Sequence, residues 1–181
     1  MPKTDVVVVG GGPSGLIAAM NAAPHCDVLV LEEHPDFGRP SHCGGLVSLD
    51  AFDKLSIRIG GDVVLNKIRG FVFHSPSGSA QEVDAGKPCA QVIDRPLLER
   101  HLAEMAEERG CRLSHARARS LRQREGGVLV DTYRGGAGRA ARATGVGVAV
   151  VSRNVYVTQV FDVIKAASGN GSPVRLQENP R

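Results

Sequence analysis

The sequence has no tryptophan, few aromatic residues and little net charge. Aromatic side chains make up 4% of the 181 residues, and so sparse a set excludes the base-stacking platforms with which proteins bind single-stranded nucleic acid. The formal net charge of +3 is too small to attract a polyanion strongly. We therefore expect no nucleic acid among the partners of this protein.

Paired cysteines and long apolar runs are also missing. The four cysteines (Cys26, Cys43, Cys89 and Cys111) are widely spaced and include no C-x-x-C pair, so the sequence predicts free thiols, no metal site and no disulfide framework.

No apolar run reaches the length of a membrane span. The first strand begins almost at once, which leaves no room for a signal peptide. We expect a cytoplasmic protein whose contact with a membrane is peripheral.

A glycine-rich turn lies between two apolar segments near the start of the chain. Residues 5–9 are an aspartate followed by four valines without polar alternation, which is typical of a buried parallel strand. A helix is predicted from Pro13 to about residue 23, because proline suits the first turn of a helix and Pro24 ends it. Residues 27–31 form a second buried strand. Together these segments predict a βαβ unit.

The turn carries the motif G-x-G-x-x-G at Gly10, Gly12 and Gly15. In a βαβ unit the first glycine permits the tight turn, the second lets a diphosphate approach the backbone, and the third lets helix and strand pack closely. The helix N-terminus presents N–H groups and a partial positive charge to an anion. The motif therefore predicts a dinucleotide site.

An acidic residue, Glu32, directly follows the second predicted strand. A carboxylate at this place accepts hydrogen bonds from the ribose hydroxyls of an adenine nucleotide and repels a 2′-phosphate, which disfavours NADP. Glu33 is the alternative ribose ligand. FAD and NAD share the ADP half that these residues would bind, so the pattern alone leaves the choice between them open.

The rest of the chain predicts short strands and one long amphipathic helix. A short helix is expected from Leu46 to about residue 55, and strands are expected within residues 63–76, 79–85 and 89–94. Asp94 is a good N-cap for a helix over residues 95–109, whose apolar positions share one face, and Gly110 suits its C-terminus. Two further strands are expected within residues 111–121 and 126–133.

Arginine is concentrated in the later part of the sequence. Residues 112–142 contain eight arginines and only two acidic residues. Attraction to anionic lipid or to a phosphorylated substrate is one interpretation. A solvated hairpin face followed by an unstructured basic stretch is the other, and we favour it.

Two stretches, "DVVVVGGGPSGLIAA…VLVLEEHPDFGRPSHCGGLVS" and "VIDRPLLERHLAEMAEERGCRL", resemble the geranylgeranyl reductase family. These are FAD-dependent oxidoreductases of the p-hydroxybenzoate hydroxylase-like superfamily, and Cys-Gly-Gly-Leu is the more specific part of the resemblance, which runs from about residue 5 to about residue 133. It implies an α/β fold, namely a Rossmann-like FAD-binding βαβ unit with a central parallel sheet and an added antiparallel β segment. It also implies FAD as cofactor and an isoprenoid lipid-like substrate, a lipid or pigment precursor whose C=C bonds are reduced.

The resemblance also implies a set of cofactor-binding residues. It does not identify a catalytic residue. The diphosphate would contact Gly10, Gly12, Ser14 and Gly15, and the ribose would contact Glu32. The flavin side of a loop would be lined by Cys43, Gly44 and Leu46, while Arg95 would contact FAD and Ala118 would approach the adenine, within one or two residues of register. Cys43 as a small buried apolar residue is the alternative at that position. A cation at a helix N-terminus, as at Arg95, favours an anionic partner such as a FAD phosphate or Asp94, and a solvated side chain is the alternative.

The sequence departs from the family after Tyr133. Family members are longer and carry a later Gly-Asp motif and a substrate half, and neither is matched here. We expect a partial FAD-binding domain over residues 1–135, an extension containing strands over 136–164 and a disordered tail over 165–181. One hypothesis is a truncated or frameshifted gene product, and another is a separate chain that supplies the substrate half.

Three functions follow from this sequence. The first is a geranylgeranyl reductase-like oxidoreductase acting on CH–CH groups, or only its FAD-binding portion. The second is a FAD- and NAD(P)H-dependent aromatic monooxygenase. The third is a catalytically inactive nucleotide-binding fragment.

Overall fold

The computed structural model describes residues 3–41, 43–124, 127–134 and 137–150. The chain divides into two compact units. The first unit combines the residues up to 37 with those from 102 onward, and the second unit comprises residues 38–101.

Strands and helices alternate at the start of the chain, and most of the later elements are strands. In chain order the elements are β1 (Lys3–Val9), α1 (Pro13–Ala22), β2 (Val28–Glu32), β3 (Leu46–Ser48), α2 (Ala51–Lys54), a 3-10 turn (Gly61–Val63), β4 (Val64–Ile68), β5 (Gly70–His74), β6 (Ala80–Asp84), β7 (Ala90–Ile93), α3 (Arg95–Glu108), β8 (Arg112–His115), β9 (Arg117–Arg124), β10 (Gly127–Arg134) and β11 (Ala137–Val150).

The first unit is built on a mixed sheet in the order β8-β2-β1-β11-β10-β9. Strands β8, β2, β1 and β11 run parallel, whereas β11, β10 and β9 form an antiparallel segment. Strands β1 and β2 pair from Val6 opposite Val28 to Val9 opposite Leu31. The predicted fold class, a Rossmann-like βαβ unit with a central parallel sheet and an added antiparallel segment, is confirmed.

The core of the first unit lies on both sides of β1 and β2. Val7 packs with Leu29, Leu31, Ala116 and Val130 in one buried cluster. Four other buried valines of β1 and β2 alternate with these along the chain, and they are Val6, Val8, Val28 and Val30. Burial on both faces explains why these strands show no polar alternation in the sequence.

The second unit contains an antiparallel sheet in the order β3-β7-β4 and a separate hairpin of β5 and β6. The strands expected within residues 63–76, 79–85 and 89–94 are confirmed. The helix expected from Leu46 to residue 55 is wrong in its first half. Leu46 pairs with Val92 and Ser48 with Ala90 in the antiparallel sheet, so pairing with a distant strand overrides the local preference. Only Ala51–Lys54 is helical.

Helix α3 has the ends that the sequence predicts. The side chain of Asp94 accepts a hydrogen bond from the Leu97 N–H at 3.0 Å, and Gly110 ends the helix with a positive φ of 87°. The predicted apolar face is buried at Leu98 and Leu102. No helix in the described ranges is long and apolar enough to cross a membrane.

The last described strand, β11, ends at Val150. The strand-forming segment expected up to residue 164 lies mostly outside the described residues, and the tail expected over 165–181 lies wholly outside them. The domain boundaries at residues 135 and 164 stay predictions.

Candidate functional site

The glycine turn joins β1 to α1 in a backbone conformation that needs glycine at two positions. Gly10 has a φ of 104°, in the region that L-residues with a side chain rarely adopt, and its N–H donates to the Leu31 carbonyl at 2.8 Å. A Cβ at Gly15 would lie 1.9 Å from the Gly10 carbonyl oxygen. The start of the helix therefore packs directly against the end of the strand.

The N-terminus of α1 is open at the place where a diphosphate would bind. Gly12 is the N-cap residue, and no side chain caps the helix. A Cβ placed on Gly12 would meet nothing within 4 Å. Pro13 occupies the first turn, and the side chain of Ser14 is exposed. Space, uncapped N–H groups and the helix dipole together fit the diphosphate of a dinucleotide.

Glu32, at the end of β2, is held beside this turn by three hydrogen bonds. Its Oε2 accepts from the Gly11 N–H at 2.7 Å. Its Oε1 accepts from the His34 N–H at 2.9 Å and contacts His34 Nδ1 at 2.7 Å. An ionised carboxylate has further lone pairs, so ribose hydroxyls can bind without displacing these donors.

The environment of Glu32 keeps its side chain ionised. Burial alone raises the pKa of this carboxyl, but the hydrogen bonds from His34 and Gly11 outweigh burial, and the pKa is lowered from its ordinary value. The side chain is 13% exposed. Glu32 therefore presents an anionic acceptor at neutral pH.

The segment after β2 folds back over the turn and contributes residues that the sequence analysis missed. A Cβ on Gly11 would lie 2.5 Å from Phe37 Cε1 and 3.0 Å from Glu32 Cβ, so the middle glycine of "GGG" also has a role. The Phe37 ring lies 5.3 Å from the ring of His115, and His115 Nδ1 donates to the His34 carbonyl at 2.7 Å. A glycine at position 11, which the G-x-G-x-x-G motif does not require, was the one signal for these contacts in the sequence.

A cleft of about 830 Å³ opens beyond the carboxyl ends of β2 and β8. Glu33, the alternative ribose ligand, lines the cleft and pairs with Arg117 at 3.2 Å. Ala116 also lines the cleft and belongs to the buried core cluster, and Ala118 packs against that cluster. The remaining lining residues are His34, Leu113, Ser114, His115, Arg117 and Tyr133.

The residues predicted for the flavin side of a loop belong to the second unit. Cys43 is an exposed free thiol, so its alternative interpretation as a small buried residue is wrong. Gly44 is exposed, and a Cβ there would meet nothing within 4 Å. Leu46 is 53% exposed. The neighbouring Gly45 is the constrained glycine, because its Cβ would lie 2.3 Å from the Ile93 carbonyl oxygen.

Arg95 is the first residue of α3. Its Nε donates to Glu99 Oε1 at 2.8 Å, while Asp94 accepts from the Leu97 N–H. Among the described residues the ion pair of Arg95 is thus with Glu99 rather than with Asp94. The side chain is 29% exposed, so it is partly buried. The contact with FAD stays a prediction.

The parts of the chain that the structure describes contain no group of three or more histidine, cysteine, aspartate or glutamate residues that could hold a metal ion. The four cysteines are free thiols. Of these, Cys111 is buried, and burial raises the pKa of its thiol.

Comparison with known proteins agrees with this geometry. A digeranylgeranylglycerophospholipid reductase of Methanopyrus kandleri is 36% identical over 135 residues, which are 72% of this chain and 35% of the relative. The corresponding reductase of Thermoplasma acidophilum is 32% identical over 115 residues, 61% of this chain and 29% of the relative. The chain spans about a third of the length of these curated relatives. The resemblance to geranylgeranyl reductases is confirmed.

Solved structures show the same fold. A geranylgeranyl bacteriochlorophyll reductase-like protein from Thermoplasma acidophilum superposes with a TM-score of 0.73 at 25% identity, over 83% of this chain and 39% of that chain. A p-nitrophenol 4-monooxygenase from Pseudomonas putida gives a TM-score of 0.67 at 20% identity, over 83% and 41%, and this likeness concerns the fold alone.

The family described as FAD binding domain matches residues 3–145. The match contains the glycine turn, Glu32 and the six strands of the mixed sheet up to residue 145. It settles the choice between FAD and NAD that the motif left open, and FAD is the cofactor. With the turn, the carboxylate and the sheet all within one match, the chain belongs to the FAD binding domain family.

Proposed function

We propose that this chain is the FAD-binding portion of a geranylgeranyl reductase-like oxidoreductase, which reduces C=C bonds in the isoprenoid chains of a lipid or pigment precursor. One observation carries this proposal. The open helix N-terminus and the ionised Glu32 form a dinucleotide site within a chain whose curated relatives are digeranylgeranylglycerophospholipid reductases.

The residues of the first unit would bind the ADP half of FAD. Backbone N–H groups at Gly12, Ser14 and Gly15 would donate to the diphosphate, and Glu32 would accept from the ribose hydroxyls. Ala116, which lines the cleft two residues before the predicted Ala118, would face the adenine. When bound and reduced, the flavin of FAD would supply a hydride to one carbon of an alkene, and a proton would be added to the other carbon.

Four further residues are assigned to the cofactor by the family resemblance. Cys43, Gly44 and Leu46 would line the flavin, and Arg95 would offer its guanidinium to FAD while Glu99 holds its Nε. An arginine fixed by a carboxylate loses little side-chain entropy when it meets a second anion. These four assignments rest on the family resemblance together with the exposure of Cys43 and Gly44.

The substrate site would need polypeptide beyond the part that matches the relatives. The chain spans about a third of their length, and we assign the walls around the isoprenoid to residues outside the matched segment. A lipid substrate would bring the protein to a membrane surface, from the cytoplasm. Exclusion of water from the alkene would then be the task of those residues.

The first test is the visible spectrum of the purified chain after addition of FAD and removal of free cofactor. We expect retained flavin that dithionite reduces and air reoxidises. A chain that retains no flavin would overturn the proposal and favour an inactive nucleotide-binding fragment.

The second test concerns the reaction. This chain is joined to the part of the Methanopyrus kandleri relative that it does not match, and the joined protein with reduced flavin is incubated without oxygen with a digeranylgeranylglycerophospholipid. The lipid is examined by mass spectrometry for the gain of two hydrogens per double bond. We expect this gain with the joined protein and not with the chain alone, because the added part would supply the walls of the substrate site. Unchanged lipid, combined with oxygen uptake when an aromatic substrate and NADPH are supplied, would favour the monooxygenase instead.

A further inference from the structure

We infer that His34 is a positioning residue, which holds the Glu32 carboxylate in the orientation that the adenosine ribose requires. This inference rests on the proposed FAD site. It concerns a side chain that the G-x-G-x-x-G pattern and the ribose acid do not include.

The imidazole of His34 contacts the carboxylate directly. Its Nδ1 lies 2.7 Å from Glu32 Oε1. A carboxylate that is ionised can only accept, so Nδ1 carries the proton and donates. The His34 backbone N–H donates to the same oxygen at 2.9 Å. One residue thus supplies two of the three donors that surround Glu32.

The other ring nitrogen of His34 lies near a second carboxylate. The other ring nitrogen, Nε2, lies 4.0 Å from Glu33 Oε1, and Glu33 is in turn paired with Arg117. The ring is 37% exposed. His34 therefore lies between two carboxylates, and its closer contact is with Glu32, the less exposed of the two.

The backbone of His34 is fixed from the opposite side. Its carbonyl accepts from His115 Nδ1 at 2.7 Å, and His115 is the last residue of β8. The Phe37 ring packs beside the His115 ring and against the backbone of Gly11. These contacts tie the segment after β2 to the neighbouring strand, so the imidazole is held before a ligand arrives.

A carboxylate held in one rotamer binds the ribose with a smaller loss of side-chain entropy than a mobile one. Without the imidazole, Glu32 keeps the two backbone donors but loses the side-chain one. Removal of the imidazole should therefore weaken binding only of ligands whose ribose hydroxyls contact Glu32. The affinity of ligands without those hydroxyls should not change.

The test measures binding by calorimetry of ADP and of 2′,3′-dideoxy-ADP to the full chain and its variants. His34→Ala should weaken ADP binding about 3- to 10-fold, the range expected for one hydrogen bond, and should leave dideoxy-ADP binding unchanged. His34→Asn places an amide donor near the position of Nδ1 and should restore most of the affinity. His25→Ala, at an exposed histidine in the same unit, should change neither.

A second measurement does not depend on the variants. In the wild-type chain, the ¹⁵N resonance of His34 Nδ1 should shift on addition of ADP and much less on addition of dideoxy-ADP. Equal losses for both ligands in His34→Ala, or equal shifts in the wild type, would overturn the role of His34 and leave the FAD site intact. A wild-type chain that binds neither ADP nor FAD would overturn the proposed function, and the role of His34 with it.

Discussion

The carbonyl oxygen of Gly10 lies 1.9 Å from the point where a Cβ on Gly15 would be. A contact so short between a side-chain carbon and backbone oxygen does not occur in folded proteins. The strand end and the helix start can therefore approach this closely only while position 15 carries no side chain. The neighbouring Gly12 differs, because a Cβ there would meet nothing within 4 Å.

The first prediction compares the effects on stability of alanine at position 15 and at position 12. Gly15→Ala should lower the free energy of unfolding by about 1–3 kcal/mol or more, as overpacking does, because backbone must move. Gly12→Ala should change stability much less, because the reduced freedom of the unfolded chain and the poorer N-cap that alanine makes oppose each other, and Gly12 has an ordinary φ of −73°. Urea unfolding measures both.

The affinity for FAD should be sensitive to a side chain at position 12, even though stability is not. The added methyl group would occupy the space assigned to the diphosphate, so Gly12→Ala should weaken FAD binding while the protein stays folded. Retention of full FAD affinity in a folded Gly12→Ala variant would show that the diphosphate does not lie there.

The second prediction concerns Gly11 and Phe37. A Cβ on Gly11 would meet the Phe37 ring at 2.5 Å, and a side chain can move where backbone cannot. Gly11→Ala should therefore destabilise less in a Phe37→Ala background than in the wild type. A double-mutant cycle by thermal unfolding measures the coupling, which we expect at about 0.5–3 kcal/mol for residues in contact. Strict additivity would mean that the ring does not limit position 11.

The βαβ unit was predictable from the sequence because its signals are local. Each signal depends on only a few neighbouring residues. The signals are apolar strands without alternation, a proline in the first helical turn and glycines at fixed spacing. The capped ends of α3 at Asp94 and Gly110 are signals of the same kind. The structure confirms all of these elements within one or two residues.

The features that were missed depend on residues far apart in the chain. Strand β3 exists because Leu46 pairs with Val92, which no local preference reveals. The role of His34 requires His115, which is brought beside it by the parallel pairing of β2 and β8. In "CGG" the sequence also gave no sign that Gly45, rather than Gly44, has the positive φ of 73°.

The third prediction is a pH dependence of stability that comes from Glu32. Its pKa in the folded chain lies below the value of about 4.3 for an unperturbed glutamate, against burial and because of the donors from His34 and Gly11. The ionised carboxylate therefore stabilises the fold fully above the unfolded pKa, and this contribution is lost as the pH falls through the lowered folded pKa.

Urea unfolding of the wild type and of Glu32→Gln between neutral and acidic pH measures this contribution. We expect a constant difference in unfolding free energy above about pH 5 and a shrinking one below it. Glu104→Gln, at an exposed position on α3, controls for the loss of one negative charge. A difference that stays constant into strongly acidic solution would mean that the pKa of Glu32 is the same in both states.

The last prediction separates the two adjacent glutamates as ligands of the ribose. If Glu32 faces the ribose hydroxyls, its charge repels a 2′-phosphate, and the wild type should prefer ADP to 2′-phospho-ADP. Glu32→Gln removes that repulsion and should narrow the preference by about 10-fold or more, since like charges at short range near a protein surface interact by several kcal/mol. Glu33→Gln should change the preference little, because the carboxylate of Glu33 is 48% exposed and paired with Arg117. Calorimetric titration of both nucleotides against both variants measures the preference for ADP over 2′-phospho-ADP. A larger change in this preference for Glu33→Gln than for Glu32→Gln would make Glu33 the ribose ligand. Glu32 would then only accept the hydrogen bond from the Gly11 N–H and stabilise the turn.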